Sequence, residues 1–277
     1  MVRQSKIIFV SILLVPVFFS PIQACVFGEV ADDEDKLNKE FFVNFTNDLG
    51  KVLISPVHWK KKDFFTFSAV LGAGCLLYVV DEDIQHWAQG HKSSTSDDFF
   101  EFITYFGDGR TLLGLIAAVY TTGELFHDNS LRKTALLSLE GWMTAGIINM
   151  GLKAIIGRAR PSTSESSRSF HPFSTKSSYF SLPSGHSVSA FAVATVIADR
   201  SKNALIDILS YSLATMVALS RVYNNNHWAS DVFLGSSLGY FVAKKILSLN
   251  RDRNSQKVNL SFRISAQSQA LSLVISF

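Results

Sequence analysis

The chain has 277 residues, 47% of them hydrophobic and only 18% charged, with 23 phenylalanines. That composition excludes a disordered chain and is enough to fill a sizeable core. A formal net charge of +3, with no single basic block, is too small to argue for a nucleic-acid binder, whose footprint is a basic face or stripe, and two cysteines, Cys25 and Cys75, argue against a disulfide framework.

Residues 1–24 join Arg3 and Lys6 to an apolar run from Ile7 to Phe19. The run is too short for a comfortable membrane span, which is the layout of a secretory signal; an uncleaved N-terminal anchor is the other reading. Ile22-Gln23-Ala24-Cys25 loosely resembles a lipoprotein signal that would lipidate Cys25, with Gln23 out of pattern. In residues 25–62 an acidic patch, Asp32 to Asp35, precedes Leu37, Phe41, Phe45 and Leu49 at four-residue spacing. This is one face of an amphipathic helix, to lie on a membrane or pack on a bundle. Pro56 and Lys60-Lys61-Lys62 close the segment.

Residues 63–250 carry apolar segments at Phe64 to Val80, Thr111 to Gly123, Thr134 to Leu152, Ser187 to Ala198, Asn203 to Ser220 and Val232 to Ala243. They predict an all-α bundle of about six helices, membrane-integrated or membrane-associated. Phe64 to Val80 is the best transmembrane candidate, because most other uncharged runs fall short of the roughly 18–20 residues a span requires and Glu140 and Asp207 interrupt the longer ones. In the tail, 251–277, the period changes. Val258, Leu260, Phe262 and Ile264, then Leu271, Leu273, Ile275 and Phe277, alternate with polar residues and predict a short C-terminal β-hairpin.

Three motifs carry the chemistry. GLKAIIGRARP sets Lys153 and Arg160 seven residues apart, two helical turns, so that both side chains leave one face of a helix that Pro161 must end. Taken alone they are also the cations expected at a helix C-terminus. After a serine-rich connection from Ser162 to Leu182, to act as a lid or a surface excursion, SLPSGHSVSA offers Ser184 as N-cap and Gly185 as an open approach to a helix N-terminus that favours an anion, with His186 in the first turn. SRVYNNNHWASD then places Arg221 before an asparagine turn, and His227 four residues before Asp231. One helical turn apart, Asp231 can orient His227 as a nucleophile or base, or the two form a surface pair without chemistry. Three cations, a helix N-terminus and two histidines, one with a carboxylate, are the set that phosphoryl transfer needs. His86 and His91 miss the spacing of a helical zinc pair, so no metal site is expected.

In this order, Lys-x6-Arg-Pro, Pro-Ser-Gly-His and Ser-Arg-x5-His-x3-Asp resemble the type 2 phosphatidic acid phosphatase (PAP2) family, related to vanadium haloperoxidases. The match covers Lys153 to Asp231. The resemblance implies a metal-independent phosphatase without cofactor, in which His227 is the nucleophile that forms a phosphohistidine, Asp231 orients it and His186 protonates the leaving oxygen. Lys153, Arg160, Arg221, Ser184 and Gly185 would bind the phosphoryl oxygens. It further implies a lipid phosphate or diphosphate substrate of the phosphatidic acid, phosphatidylglycerol phosphate, undecaprenyl diphosphate or lipid A type. With the signal and the apolar bundle, that places the protein in a bacterial cell-envelope membrane, its site facing the periplasm or exterior, with vanadate as inhibitor. The alternatives are a secreted soluble acid phosphatase, a vanadium-dependent haloperoxidase and a non-catalytic envelope protein that binds a head group.

Overall fold

The computed structural model describes residues 36–267, with side chains for 36–255. Nine α-helices form among the described residues: α1 Lys39–Ile54, α2 Lys61–Val79, α3 Asp81–Gly90, α4 Ser94–Thr104, α5 Gly109–Leu125, α6 Asn129–Ile156, α7 Gly185–Ser201, α8 Ala204–Tyr223 and α9 Ala229–Gln267. The six expected apolar segments fall in α2 and in α5 to α9. The amphipathic stretch is α1, capped by Asn38 Oδ1, which accepts from the Phe41 N–H at 3.0 Å. Of its predicted face, Phe41 and Phe45 are buried where the helix packs on α9 and α6, so α1 docks on the bundle. The signal or anchor predicted for residues 1–24 and the Cys25 site lie outside the described residues.

Among the described residues three helices are long and apolar enough to cross a membrane: α2, α8 and the stretch Ala229–Ser255 of α9. A fourth span is available from Ser94–Gly107 and Gly109–Leu125, bent by 60° at Asp108. Their outer faces carry Phe64, Phe65, Leu76, Leu205 and Ile208, all exposed. Apolar surface of that extent requires a lipid environment.

Helix α7 is the hub, packed by α6, α8 and α9. Val188, Ala192 and Val196 of α7 meet Ala243 and Ile246 of α9 and Leu137 and Ala145 of α6. Gly235 and Gly239, one turn apart on α9, allow the two backbones to touch. A Cβ on them would lie 2.7 Å from the Ser184 carbonyl oxygen and 2.3 Å from that of Val188. The register of α9 on α7 is therefore set by small residues at the point where PSGH begins the helix.

Two expectations are corrected. Helix α6 does not run to Arg160: it ends at Ile156, with Gly157 left-handed at φ 63° and its N–H bonded to the Lys153 carbonyl at 2.9 Å. A Cβ there would fall 1.9 Å from the His171 carbonyl oxygen, so the returning loop requires glycine and the helix stops. Residues 258–264, expected as a strand, continue α9 as helix. Extending an existing helix needs no new nucleus, whereas a lone two-stranded hairpin is marginal in water. Leu271 to Phe277 lie outside the described residues.

Candidate active site

The connection from Gly157 to Ser184 is a fixed structure. The Ala159 N–H bonds Ser169 O at 3.0 Å and the Arg160 N–H bonds Ser178 O at 2.9 Å. Glu165 accepts from Tyr179 Oη at 3.1 Å and pairs with His171 at 3.0 Å. From α3, Glu82 accepts from the Ser167 N–H and Ser166 Oγ, both at 2.9 Å. Arg160 is extended (φ −78°, ψ 154°), as expected before proline. Lys153 and Arg160 thus reach one pocket from a helix and from a loop, and not from one helical face.

At the start of α7, Ser184 is fully buried and its N–H donates to the Asp231 carbonyl oxygen at 3.0 Å. Its hydroxyl does not cap the helix; it accepts from Ser187 Oγ at 2.9 Å, which leaves its own proton free for a ligand. A Cβ on Gly185 would lie 3.4 Å from Asn149 Nδ2 and 3.9 Å from Lys153 Cε. Lys153 and the helix N-terminus therefore share a wall, and Lys153 Nζ donates to Phe180 O at 2.5 Å. The asparagine turn after α8, with Asn225 left-handed, folds the chain back so that the N–H groups of Asn226 and His227 both donate to Arg221 O, at 3.0 and 3.2 Å. This ties His227 to the end of α8 beside Arg221. The Arg221 guanidinium donates to Thr104 Oγ1 at 2.6 Å. The buried Nε atoms of Arg160 and Arg221 meet no acceptor among the described residues.

His227 precedes α9, which opens at Ala229. Asp231, in the first turn of α9, is fully buried. Its Oδ2 accepts from Trp228 N at 3.0 Å and from Ser181 Oγ at 2.5 Å. His227 Nδ1 lies 3.8 Å from the same oxygen, an ion-pair separation just beyond hydrogen-bond reach, with Ser181 Oγ 3.5 Å from the ring nitrogen. Such contacts are often loose in a free site and tighten around substrate. Burial outweighs Asp231 and brings the His227 imidazole down to about 3. His186 falls to about 4 through burial and then the nearby Arg221. Burial and then Arg160, with Arg221 also repelling and Asp231 opposing, lower Lys153 to about 7.

The sequence reading missed Arg158, although it stands inside the first motif. This guanidinium is fully buried and bonds Asp231 Oδ1 at 2.5 Å, Ser230 Oγ at 2.8 Å, Asp81 Oδ2 at 2.8 Å and Ser167 O at 2.9 Å. Ser181 and Asp81 were missed as well. The available signal was an arginine and an aspartate abutting apolar runs, IIGRAR and YVVDED. Among the described residues no group of three or more histidine, cysteine or acidic side chains could hold a metal ion.

This geometry has known counterparts. The PAP2 superfamily model matches residues 134–255. Phosphatidylglycerophosphatase B of Bacillus subtilis is 32% identical over 204 residues, covering 67% of this chain and 94% of that protein. Lipid A 1-phosphatase of Porphyromonas gingivalis is 33% identical over 104 residues, covering 37% of this chain and only 20% of that relative's length. Among solved structures, the first transmembrane PAP2-type phosphatidylglycerolphosphate phosphatase from Bacillus subtilis matches with a TM-score of 0.52 at 26% identity, over 77% of this chain and 95% of that one. The chain belongs to the PAP2 superfamily. It is a PAP2-type phosphatase, and its apolar helices place it in a membrane.

Proposed function

We propose that the protein hydrolyses the phosphate of a membrane lipid, a monoester or diphosphate of the lipid A or phosphatidylglycerol phosphate type, through a phosphohistidine. The observation that carries the reading is the convergence of Lys153, Arg160, Arg221 and the α7 N-terminus on the buried His227–Asp231 pair. His227 is neutral at pH 7, as an attacking nitrogen must be. Its Nε2 forms the bond to phosphorus as the bond to the lipid oxygen breaks, and Asp231 stabilises the resulting imidazolium. The cations and helix N–H groups hold the three equatorial oxygens, which is most of the catalysis in phosphoryl transfer. His186 gives the leaving oxygen its proton. Although burial and the Arg221 charge hold that imidazole neutral, a phosphate dianion against the same cations offsets their field and favours the imidazolium. Water then attacks the phosphohistidine, with His186 taking the proton.

A lipid fits for two reasons. The site opens at the ends of membrane-spanning helices. Gly107, whose added Cβ would lie 2.9 Å from His186 Cβ, follows Phe106 at the edge of an apolar cavity of about 170 Å³ lined also by Leu112, Ile116, Val193 and Val217. Val217 of that lining and His186 both border Gly107, so the cavity lies on the side of the proposed acid and suits an apolar chain on the leaving group.

The site faces away from the cytoplasm. Asp81 follows the C-terminal end of α2, and α9 starts at the site, so the opposite ends of the bundle carry Lys60, Lys61, Lys62, Lys133, Lys244 and Arg251. Basic residues at span ends stay cytoplasmic.

A phosphate-release panel tests the reading, with undecaprenyl diphosphate, phosphatidylglycerol phosphate, phosphatidic acid, lipid A and a soluble aryl phosphate. Release from a lipid, unaffected by chelator, blocked by vanadate and abolished in a folded His227→Ala protein, is expected. Full turnover by that variant sinks the mechanism, and release from the aryl phosphate alone sinks the lipid assignment.

A further inference from the structure

Two further buried charges, Arg158 and Asp81, stand behind Asp231 of the catalytic pair. Arg158 bridges two fully buried carboxylates, Asp231 at 2.5 Å and Asp81 at 2.8 Å. Its charge also faces the rings of Tyr78 at 4.8 Å and Trp228 at 5.6 Å. Asp81, the first residue of α3, accepts from the Ser230 N–H at 2.9 Å and from Ser230 Oγ at 2.5 Å, and Ser230 Oγ in turn accepts from Arg158. All of these partners of Asp81 adjoin Asp231 or bond it directly. The next residue, Glu82, fixes the loop whose Ser167 carbonyl receives Arg158 Nε. Helix α3 lies before the residues that the family model matches.

Desolvating three charges costs several kcal/mol for each, and apolar residues of similar size would fill such a space as well or better. The cluster also carries one negative charge in excess, two carboxylates against one guanidinium. Both properties suit a device that holds Asp231 in place and balances positive charge at His227. We propose that Asp81 is a positioning residue: through Arg158 and Ser230 it fixes the Asp231 carboxylate against His227 and supplies the negative charge that compensates the imidazolium formed when His227 takes the phosphoryl group. Asp81 touches neither His227 nor substrate. It acts on the chemical step and not on binding. The assignment rests on the phosphohistidine reading above.

The experiment measures phosphoenzyme formation by rapid quench, with kcat, KM and thermal unfolding, for the full chain in detergent and for its Asp81→Asn and Ser230→Ala variants. Residues that orient a metal-binding side chain are worth about 10- to 100-fold in activity, and the same factor is expected for one that orients Asp231. Asp81→Asn is expected to slow phosphoenzyme formation and kcat by that factor, with KM within about twofold of wild type. Ser230→Ala keeps all three charges and removes only one bridge; a smaller drop in kcat, again without change in KM, is expected, and it decides the matter should Asp81→Asn fail to fold. Wild-type kcat in the folded variants, with loss confined to thermal stability, overturns the assignment alone, as does a loss confined to KM. A wild-type protein that releases phosphate from no member of the panel overturns the phosphatase reading, and this assignment with it.

Discussion

Gly235→Ala adds a single methyl group at the contact between α9 and the PSGH turn, and the consequence can be worked from distances. The new Cβ would lie 2.7 Å from Ser184 O, 3.0 Å from Ser184 N and 3.4 Å from Ser184 C. Against an ordinary contact of about 3.5 Å, the backbone must give way by roughly 0.8 Å at the carbonyl. No flexible side chain is available to absorb it, so α9 or the start of α7 must shift. Overpacking of this kind costs about 1–3 kcal/mol, while alanine in mid-helix returns about 1 kcal/mol relative to glycine. Net destabilisation is therefore about 0–2 kcal/mol, a fall in Tm of only a few degrees. Activity should suffer more. A displacement approaching 1 Å at a positioning element costs on the order of 100-fold, and the same shift loosens the 3.0 Å bond from Ser184 N–H to Asp231 O. We expect kcat/KM on the lipid substrate to fall by about 10- to 100-fold with the Tm nearly retained. Gly239→Ala, with a Cβ 2.3 Å from Val188 O but one turn farther from the site, should lose more stability and less activity. A Gly235→Ala enzyme within about twofold of wild-type kcat/KM would refute the claim that this contact sets the pocket.

Two further outcomes are expected. Lys153, brought to about 7 by burial and the neighbouring Arg160, is protonated below that pH and loses its charge above it, so KM should rise as pH passes 7, while in the complex the phosphate dianion favours the charged amine and keeps kcat little changed. Lys153→Arg, always charged, should flatten the rise in an initial-rate pH series, and an equally steep rise in that variant would remove Lys153 as the cause. For orientation, cysteines placed at Ser162 and at Lys61, in a chain with Cys25 and Cys75 changed to serine, should differ toward a membrane-impermeant maleimide in spheroplasts. The first should be labelled and the second protected; the reverse pattern would put the site on the cytoplasmic side.

The proposed pocket was legible because its residues act on a common ligand and sit at fixed spacings in three short motifs. Lys153, Arg160, Ser184, Gly185, Arg221, His227 and Asp231 were all named from spacing and residue type, and the structure brings them together. The route was less legible than the destination: Gly157 is itself a local stop signal for α6, but the contact that admits only glycine there, the His171 carbonyl oxygen on the returning loop, leaves no trace in the motif. Residues that act on other side chains leave no spacing at all. Arg158 meets Asp81 across 77 positions, and Asp81 meets Ser230 across 149. Helices α3 and α4, of 10 and 11 residues, were too short and polar for a clear period. The alternation from Val258 to Ile264 suggested a strand, yet α9 already ran through those positions.

Helix α9 is longer than a membrane is thick. Its 39 residues span about 58 Å at 1.5 Å per residue, against a hydrocarbon layer of about 30 Å. Since its first turn holds Asp231 at the pocket, its last turns must stand clear of the bilayer on the other side as a rigid mast. An affinity tag or fluorescent protein joined beyond that mast would report on the chain from the far face, without touching the mouth through which substrate enters.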